Sequence, residues 1–337
     1  MTNEELNRLK EEIGRLNKED LRKRDLYLRG LATGEIQGPP VGYPYIDKPW
    51  LKQYEKDDIH FDLPNKTVYE YVYDANQDNL ENVALEYYGR KITYKEFFLR
   101  IAETEKAFRS IGIKKGDTVS FCVPSLPEIF YSFYALNKIG AIANMIDPRT
   151  NVSSIKKFIE DSGSSMLVYV DLAYPKMKKI ISDLGISNVI CVSPSDSLPI
   201  HLKMLLKMKS LITSKEKEIK SSKIMSWKQF IENGRSFSFQ PETLENKLDL
   251  PSGIVYTSGT TGIPKGSVMN NGNFLSMVYQ NHSAKMGWDK SDILLGIMPP
   301  FIAYGLVCGF TLPLCNGMQI DIIPKFDPES FDKYLLI

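Results

Sequence analysis

Gly253-Ile-Val-Tyr-Thr-Ser-Gly-Thr-Thr-Gly-Ile-Pro-Lys-Gly266 orders its residue types so that a strand runs into an anion site. The apolar run Gly253-Ile254-Val255-Tyr256 reads as the end of a buried strand. Hydroxyls and glycines follow in Thr257, Ser258, Gly259, Thr260, Thr261 and Gly262, and then come Pro264, Lys265 and Gly266. Glycines let successive backbone N–H groups converge into a concave nest, and such nests bind anions. The hydroxyls add short donors and Lys265 adds a mobile full charge, so a polyphosphate is the natural guest. This is not a Walker A loop, which needs glycine and lysine adjacent; Pro264 stands where that glycine would be. A plain Ser/Thr/Gly surface loop is the competing reading. The order of strand, loop, Pro-Lys-Gly and renewed apolar run speaks against it.

Upstream of this stretch, helical and strand periods alternate from Thr67 onward. Helices are expected over 67–76, 94–110, 127–139, 152–161 and 175–184, and strands over 118–123, 141–146, 165–170 and 188–192. Val83 to Thr93 reads as a hairpin turning at Gly89-Arg90. Downstream, Ser267-Val-Met269 reads as a strand, 273–286 as a helix, 292–298 as a buried strand and 319–323 as another. Such alternation predicts an α/β fold of mainly parallel sheets covered by helices.

The residues from Tyr256 to Gly266 resemble the signature loop of the adenylate-forming enzymes, a superfamily of acyl-CoA synthetases, peptide-synthetase adenylation domains and luciferases. Gly112-Ile-Lys-Lys-Gly-Asp117, Pro124 to Glu128 and Asn137 to Pro148 resemble the first half of that family, largely as helix-ending glycines and apolar strands. Met298-Pro-Pro-Phe-Ile-Ala-Tyr-Gly-Leu306 is similar to the family's next motif, at the acyl pocket. Many acyl-CoA synthetases carry a histidine after the aromatic of this motif; here that position is Ile302. The resemblance implies an incomplete large N-terminal domain of an AMP-forming acid-thiol ligase. It further implies ATP, Mg2+ and coenzyme A as the reaction's partners, and a small carboxylate, fatty or aryl, as substrate. Thr257, Ser258, Gly259, Thr260, Thr261, Gly262, Lys265 and Gly266 would hold the nucleotide, with Thr260 and Lys265 in catalytic roles. Phe301, Ile302, Tyr304 and Gly305 would meet the acid; packing is the equal alternative for Gly305. An adenylating enzyme that loads a carrier protein, and a non-catalytic fragment that binds a partner, are the alternatives.

Composition excludes several other classes. A formal net charge of +1 over 337 residues makes no case for nucleic acid. Cys122, Cys191, Cys308 and Cys315 form no CxxC pair and read as free thiols of a reducing compartment. His60, His201 and His282 form no metal-binding spacing, so no protein metal site is expected. With no bilayer-length apolar run and no signal peptide, the expected location is cytoplasmic.

Three divisions are expected: a helical and Pro/Gly-rich extension over 1–50, a first α/β subdomain over 51–250, and the start of a second over 251–337. The apolar stripe Leu6, Leu9, Ile13 and Leu16 fits packing on the main body or a homodimer partner. A Lys-rich insert spans 199–223, with seven Lys and two Glu between Lys203 and Lys223. Together with Leu202, Met204, Leu205, Leu206, Met208 and Leu211, the stretch from His201 to Ser226 reads as one basic amphipathic helix. Such a helix suits either the protein's own surface or weak peripheral contact with an anionic membrane through 201–223. The last residues, Phe331 to Ile337, read as a helix without a cap, and the family's adenine, ribose and hinge residues have no counterpart after them. The chain is therefore expected to be an N-terminal portion of a longer enzyme.

Overall fold

A computed structural model describes residues 62–186, 188–205, 224–257 and 264–330. The expected helix over residues 1–31, the Pro/Gly-rich segment to residue 50, and most of the Lys-rich insert lie outside the described residues. So do Ser258 to Ile263. Two compact units are distinguished, one of residues 1–62 with 281–285 and one of 63–280 with 286–337. Within the first, the described residues are Asp62 and 281–285; the second holds both sheets.

The second unit opens with α1 (Val68–Ala75), β1 (Val83–Tyr87), β2 (Arg90–Thr93), α2 (Tyr94–Ser110) and β3 (Thr118–Cys122). Next come α3 (Pro127–Ile139), β4 (Ile142–Met145), α4 (Val152–Asp161), β5 (Met166–Val170), α5 (Tyr174–Leu184) and β6 (Asn188–Val192). Then follow β7 (Ile224–Ser226), α6 (Trp227–Gly234), β8 (Pro251–Thr257), β9 (Lys265–Asn270) and α7 (Asn271–Ser283), whose residues 271–280 belong to this unit. The unit ends with β10 (Ile293–Gly296), a π-helix (Gly305–Thr311), α8 (Leu312–Cys315) and β11 (Gln319–Ile322).

Seven strands form one sheet in the order β7-β6-β5-β3-β4-β8-β9, parallel except for the β8–β9 pair. Four form another in the order β10-β11-β1-β2, with only β1–β2 antiparallel. Both sheets take strands from either side of residue 250: β4 pairs with β8, and β1 with β11. The expected mainly parallel, helix-covered α/β architecture is present.

Local chemistry accounts for the helix ends. Thr67 and Glu70 form a reciprocal capping box on α1. Pro127 opens α3, where its missing N–H costs nothing, and Gly140 closes it at φ 80° in the left-handed region. Helix α3 is buried nearly all round, so it reads as a core helix rather than a surface one. Its Phe130 ring stacks on Phe310 of the π-helix at 3.6 Å, and Tyr134 donates to the Phe310 carbonyl at 3.1 Å.

Two expectations are corrected. The stretch from His201 to Ser226 is not one helix, because Ile224–Ser226 is a strand whose backbone pairs in parallel with Val189–Cys191 on the open edge of β6. Residues 201–205 are helical, and 206–223 lie outside the described residues. The strand after the Gly/Thr-rich stretch starts at Lys265 rather than Ser267, and it is antiparallel to β8. All four cysteines are free; Cys122, Cys191 and Cys315 are buried and Cys308 is half-buried. Among the described residues no helix is long and apolar enough to cross a membrane.

Candidate functional site

Ligands of open parallel sheets bind beyond the carboxyl ends of the strands, where the loops diverge. At the ends of the adjacent strands β4 and β8 lies a cleft of about 320 Å3. The strand register sets Ala143 beside Gly253 and Asn144 beside Ile254, so β8 runs on past the end of β4, to Thr257. From the β4 side the cleft receives Met145, Asp147, Thr150, Asn151, Ser154 and Phe158. From the β8 side it receives Tyr256, Thr257 and Pro264, and from the turn before the π-helix Phe301 and Ile302.

Thr257 and Pro264, the described residues on either side of the Gly/Thr-rich stretch, both line this cleft, and β8 and β9 pair antiparallel there. Thr257 and Lys265 are direct cross-strand partners at the base of that hairpin, and both are exposed. A side chain at Gly266 would place its Cβ 3.2 Å from Ile254 Cγ2 and 3.2 Å from the Tyr256 ring. Glycine there lets the Tyr256 ring lie flat on Phe158, with centroids 3.8 Å apart and planes 15° apart. The Tyr256 hydroxyl donates to the Phe158 carbonyl at 3.1 Å, and burial pushes its pKa up to about 12. The phenol is therefore a neutral, fixed wall at physiological pH.

The opposite wall rests on a charged pair and a close backbone contact. Asp147 accepts from Arg149 Nε and Nη2 in a fork at 2.8 to 3.1 Å. The guanidinium lies 5.5 Å from the Phe301 ring centre, within cation–π reach. Hydrogen bonding to Asp147, added to its charge, shifts Arg149 further upward and keeps it cationic. Gly305 packs its backbone on the proline turn: a Cβ there would lie 1.9 Å from the Pro299 carbonyl oxygen.

Of the residues singled out for the acid, Phe301 and Ile302 reach the cleft with Thr257. Tyr304 is 63% exposed and does not line it, and Gly305 is buried against the turn. Sequence reading missed Asp147, Asn151 and Phe158. The available signal was position: Asp147-Pro148 follows the end of a parallel strand at a site-forming edge. Asn151 also carries a local job, accepting from the Ser154 N–H at 2.9 Å to cap α4.

An α/β sheet whose carboxyl ends frame a largely apolar cleft, with the base of a β-hairpin at its rim, is the framework of a small-molecule-binding enzyme domain. The chain belongs to the AMP-binding enzyme family, which matches residues 72–336. It is 26% identical over 290 residues to a long-chain-fatty-acid–CoA ligase of Bacillus subtilis, covering 83% of this chain and 50% of that one. It is 27% identical over 263 residues to an acetyl-coenzyme A synthetase of Bartonella bacilliformis, covering 72% of this chain and 37% of that one. The N-terminal domain of FACL13 from Mycobacterium tuberculosis, solved with an inhibitor, shares the fold at a TM-score of 0.61 and 21% identity, covering 80% of this chain and 60% of that one. The chain thus spans about half or less of the length of these two curated relatives.

Proposed function

We propose that the chain contributes to ATP-dependent activation of a carboxylic acid. The substrate carboxylate attacks the α-phosphorus of ATP, forming an acyl-adenylate and releasing pyrophosphate. The thiol of coenzyme A then attacks the acyl carbon and displaces AMP. Reactions of this kind depend on positioning and charge neutralisation more than on covalent help from the protein.

The observation that carries the reading is the cleft itself. It brings the base of the Gly/Thr-rich hairpin within one cavity of Phe301 and Ile302, residues that sequence reading assigned to opposite ends of the reaction. In the proposal, the hydroxyls of Ser258, Thr260 and Thr261 and the backbone N–H groups of Gly259 and Gly262 hold the β- and γ-phosphates. Lys265 offsets charge on the departing pyrophosphate. Met145, Phe158, Tyr256, Phe301 and Ile302 make the remaining walls apolar or aromatic, which suits a fatty or aryl acid. Among the described residues of the cleft, Asp147 is the carboxylate, and Arg149 already forks it. That donor set fits a Mg2+ ion held chiefly by phosphate and water oxygens.

The test is titration of the chain with ATP·Mg2+, alone and with Lys265→Ala. Binding that weakens roughly tenfold in the variant is expected from the loss of one charge-assisted contact at an exposed site. Equal binding by both proteins would remove Lys265 from the proposal. Absence of ATP binding by the folded parent chain would remove the nucleotide site.

A second observation supports a weaker membrane role. Ile200, Met204 and Leu205 are 72%, 62% and 53% exposed, just ahead of the lysines from 207 to 223. Exposed apolar side chains beside lysines suit peripheral contact with an anionic bilayer.

A further inference from the structure

On the β4 side, the polar wall of the cleft comes from one short segment. Asp147, Thr150, Asn151 and Ser154 line it from the loop between β4 and α4 and from the first turn of that helix. Residues 147–151 belong to no helix or strand, so no ladder of regular hydrogen bonds fixes their backbone. Asp147 ties the loop to itself. Its carboxylate accepts from the Arg149 N–H at 2.8 Å, and its carbonyl accepts from the Thr150 N–H at 3.0 Å. These bonds shape the turn but do not attach it to the body of the fold.

The attachment comes from Lys176, on α5. Its Nζ donates to the Pro148 carbonyl at 3.0 Å and to the Thr150 carbonyl at 2.7 Å, across 28 and 26 residues of chain. Among the described residues Lys176 forms no ion pair, so its charge is directed at these two neutral oxygens. Hydrogen bonds from a charged donor are about twice as strong as neutral ones, and the side chain is half-buried, which limits competition from water. The ammonium lies near the end of β3 as well: burial raises the Cys122 thiol, and Lys176 opposes that shift. It therefore sits behind the loop, at the carboxyl edge of the sheet. The peptide bonds are trans, so turning these two carbonyls toward Lys176 turns the N–H groups of Arg149 and Asn151 away from it.

We propose that Lys176 is a positioning residue of the cleft, whose two carbonyl bonds hold the β4–α4 loop so that Asp147, Thr150 and Asn151 face the ligand. What the cleft holds rests on the reaction proposed above; the clamp itself does not. A side chain displaced by about 1 Å costs a reacting site as much as a hundredfold, so a lysine that touches no substrate still governs the site through this loop.

Limited tryptic digestion of the full chain under native conditions, read by mass spectrometry, tests the clamp. Cleavage after Arg149 requires the loop to open, because Arg149 is forked to Asp147. Lys176→Met keeps the length of the side chain and removes both bonds, so cleavage after Arg149 should accelerate roughly tenfold. Cleavage after Lys115, in the exposed turn before β3, should stay at the parental rate. Lys176→Arg retains charged donors and should behave as the parent. If Lys176→Met does not fold, Lys176→Gln, uncharged and one atom shorter, carries the same expectation. Unchanged cleavage after Arg149 overturns the proposal, and so does equal acceleration at both sites, which would report general loosening of the fold.

Titration with ATP·Mg2+ supplies the second readout. Affinity should fall about tenfold in Lys176→Met and persist in Lys176→Arg, with the thermal midpoints of both close to that of the parent. Equal binding by parent and Lys176→Met removes the positioning role even where the loop has loosened. Absence of binding by the parent overturns the nucleotide reading instead, and the cleavage rates then decide the clamp by themselves.

Discussion

Replacing Asn137 by alanine tests how the site's hairpin is held to the core. Asn137 lies on α3 and is 2% exposed. Its amide donates to the Ser252 hydroxyl of β8 at 2.8 Å and to the Asn271 side-chain oxygen, at the start of α7, at 2.7 Å. Its own oxygen accepts from the Tyr69 N–H at 2.8 Å. Tyr69 is in the first turn of α1, where a helix offers its N–H groups no internal acceptor. Alanine therefore strands a buried backbone donor, costing ~1–3 kcal/mol, and forfeits two further bonds of about 1 kcal/mol each. Water entering the vacated space recovers part of this, leaving about 3 kcal/mol. For a unit of this size that loss corresponds to a thermal midpoint roughly 6–12 °C lower. Thermal unfolding of parent and variant, followed by circular dichroism, measures it. A midpoint within about 2 °C of the parent would refute the argument that Asn137 links α1, α3 and the β8–β9 hairpin as one buried network.

Gly305→Ala should be harsher than an ordinary core overpacking, at ~3 kcal/mol or more, because the atom it meets is backbone at 1.9 Å; a soluble variant with parental stability would contradict it. Glu128 has a folded-state value of about 7 against an ordinary 4.5, so the folded chain holds this proton more tightly than the unfolded one. Its contribution is complete below the lower value and is lost as pH rises through about 7, a span worth roughly 3 kcal/mol. Urea titrations of Glu128→Gln and parent should therefore diverge in favour of the variant as pH increases over that window, and parallel curves would count against it. At low salt the chain should sediment with anionic vesicles, and changing Lys203, Lys207 and Lys209 to Glu should release it; failure of the parent to sediment ends that idea.

Much of the architecture was legible because it is encoded locally. Helix α3 is bracketed by Pro127 and Gly140, and α4 by the Asn151 cap and its apolar stripe Ile155, Phe158 and Ile159. Strand β6 is a short apolar run whose bounds, Asn188–Val192, follow from its flanks. By contrast Ile224–Ser226 is only three residues long, and its pairing partner lies on β6. Nothing local distinguishes so short a strand from a helix end, although the Ser226–Gln229 capping box was a readable start for α6. Tyr304 shows the limit from another direction: it belongs to a motif by sequence, yet the turn of the chain leaves it facing outward.

Sequence alone settled the class of fold, the family, and the residue types gathered between Tyr256 and Gly266, because glycine, hydroxyl and lysine chemistry acts over a few neighbouring residues. Tertiary structure alone decided which side chains share a cavity. Asp147 and Phe158 meet Thr257 and Phe301 because β4 and β8 are neighbours in the sheet despite their separation along the chain. Glu128 and Tyr131 are an ordinary helical pair until α2, α6 and Ser197 enclose them. Enclosure removes water, and that removal gives a carboxyl or a phenol a chemistry that its position in the chain does not reveal.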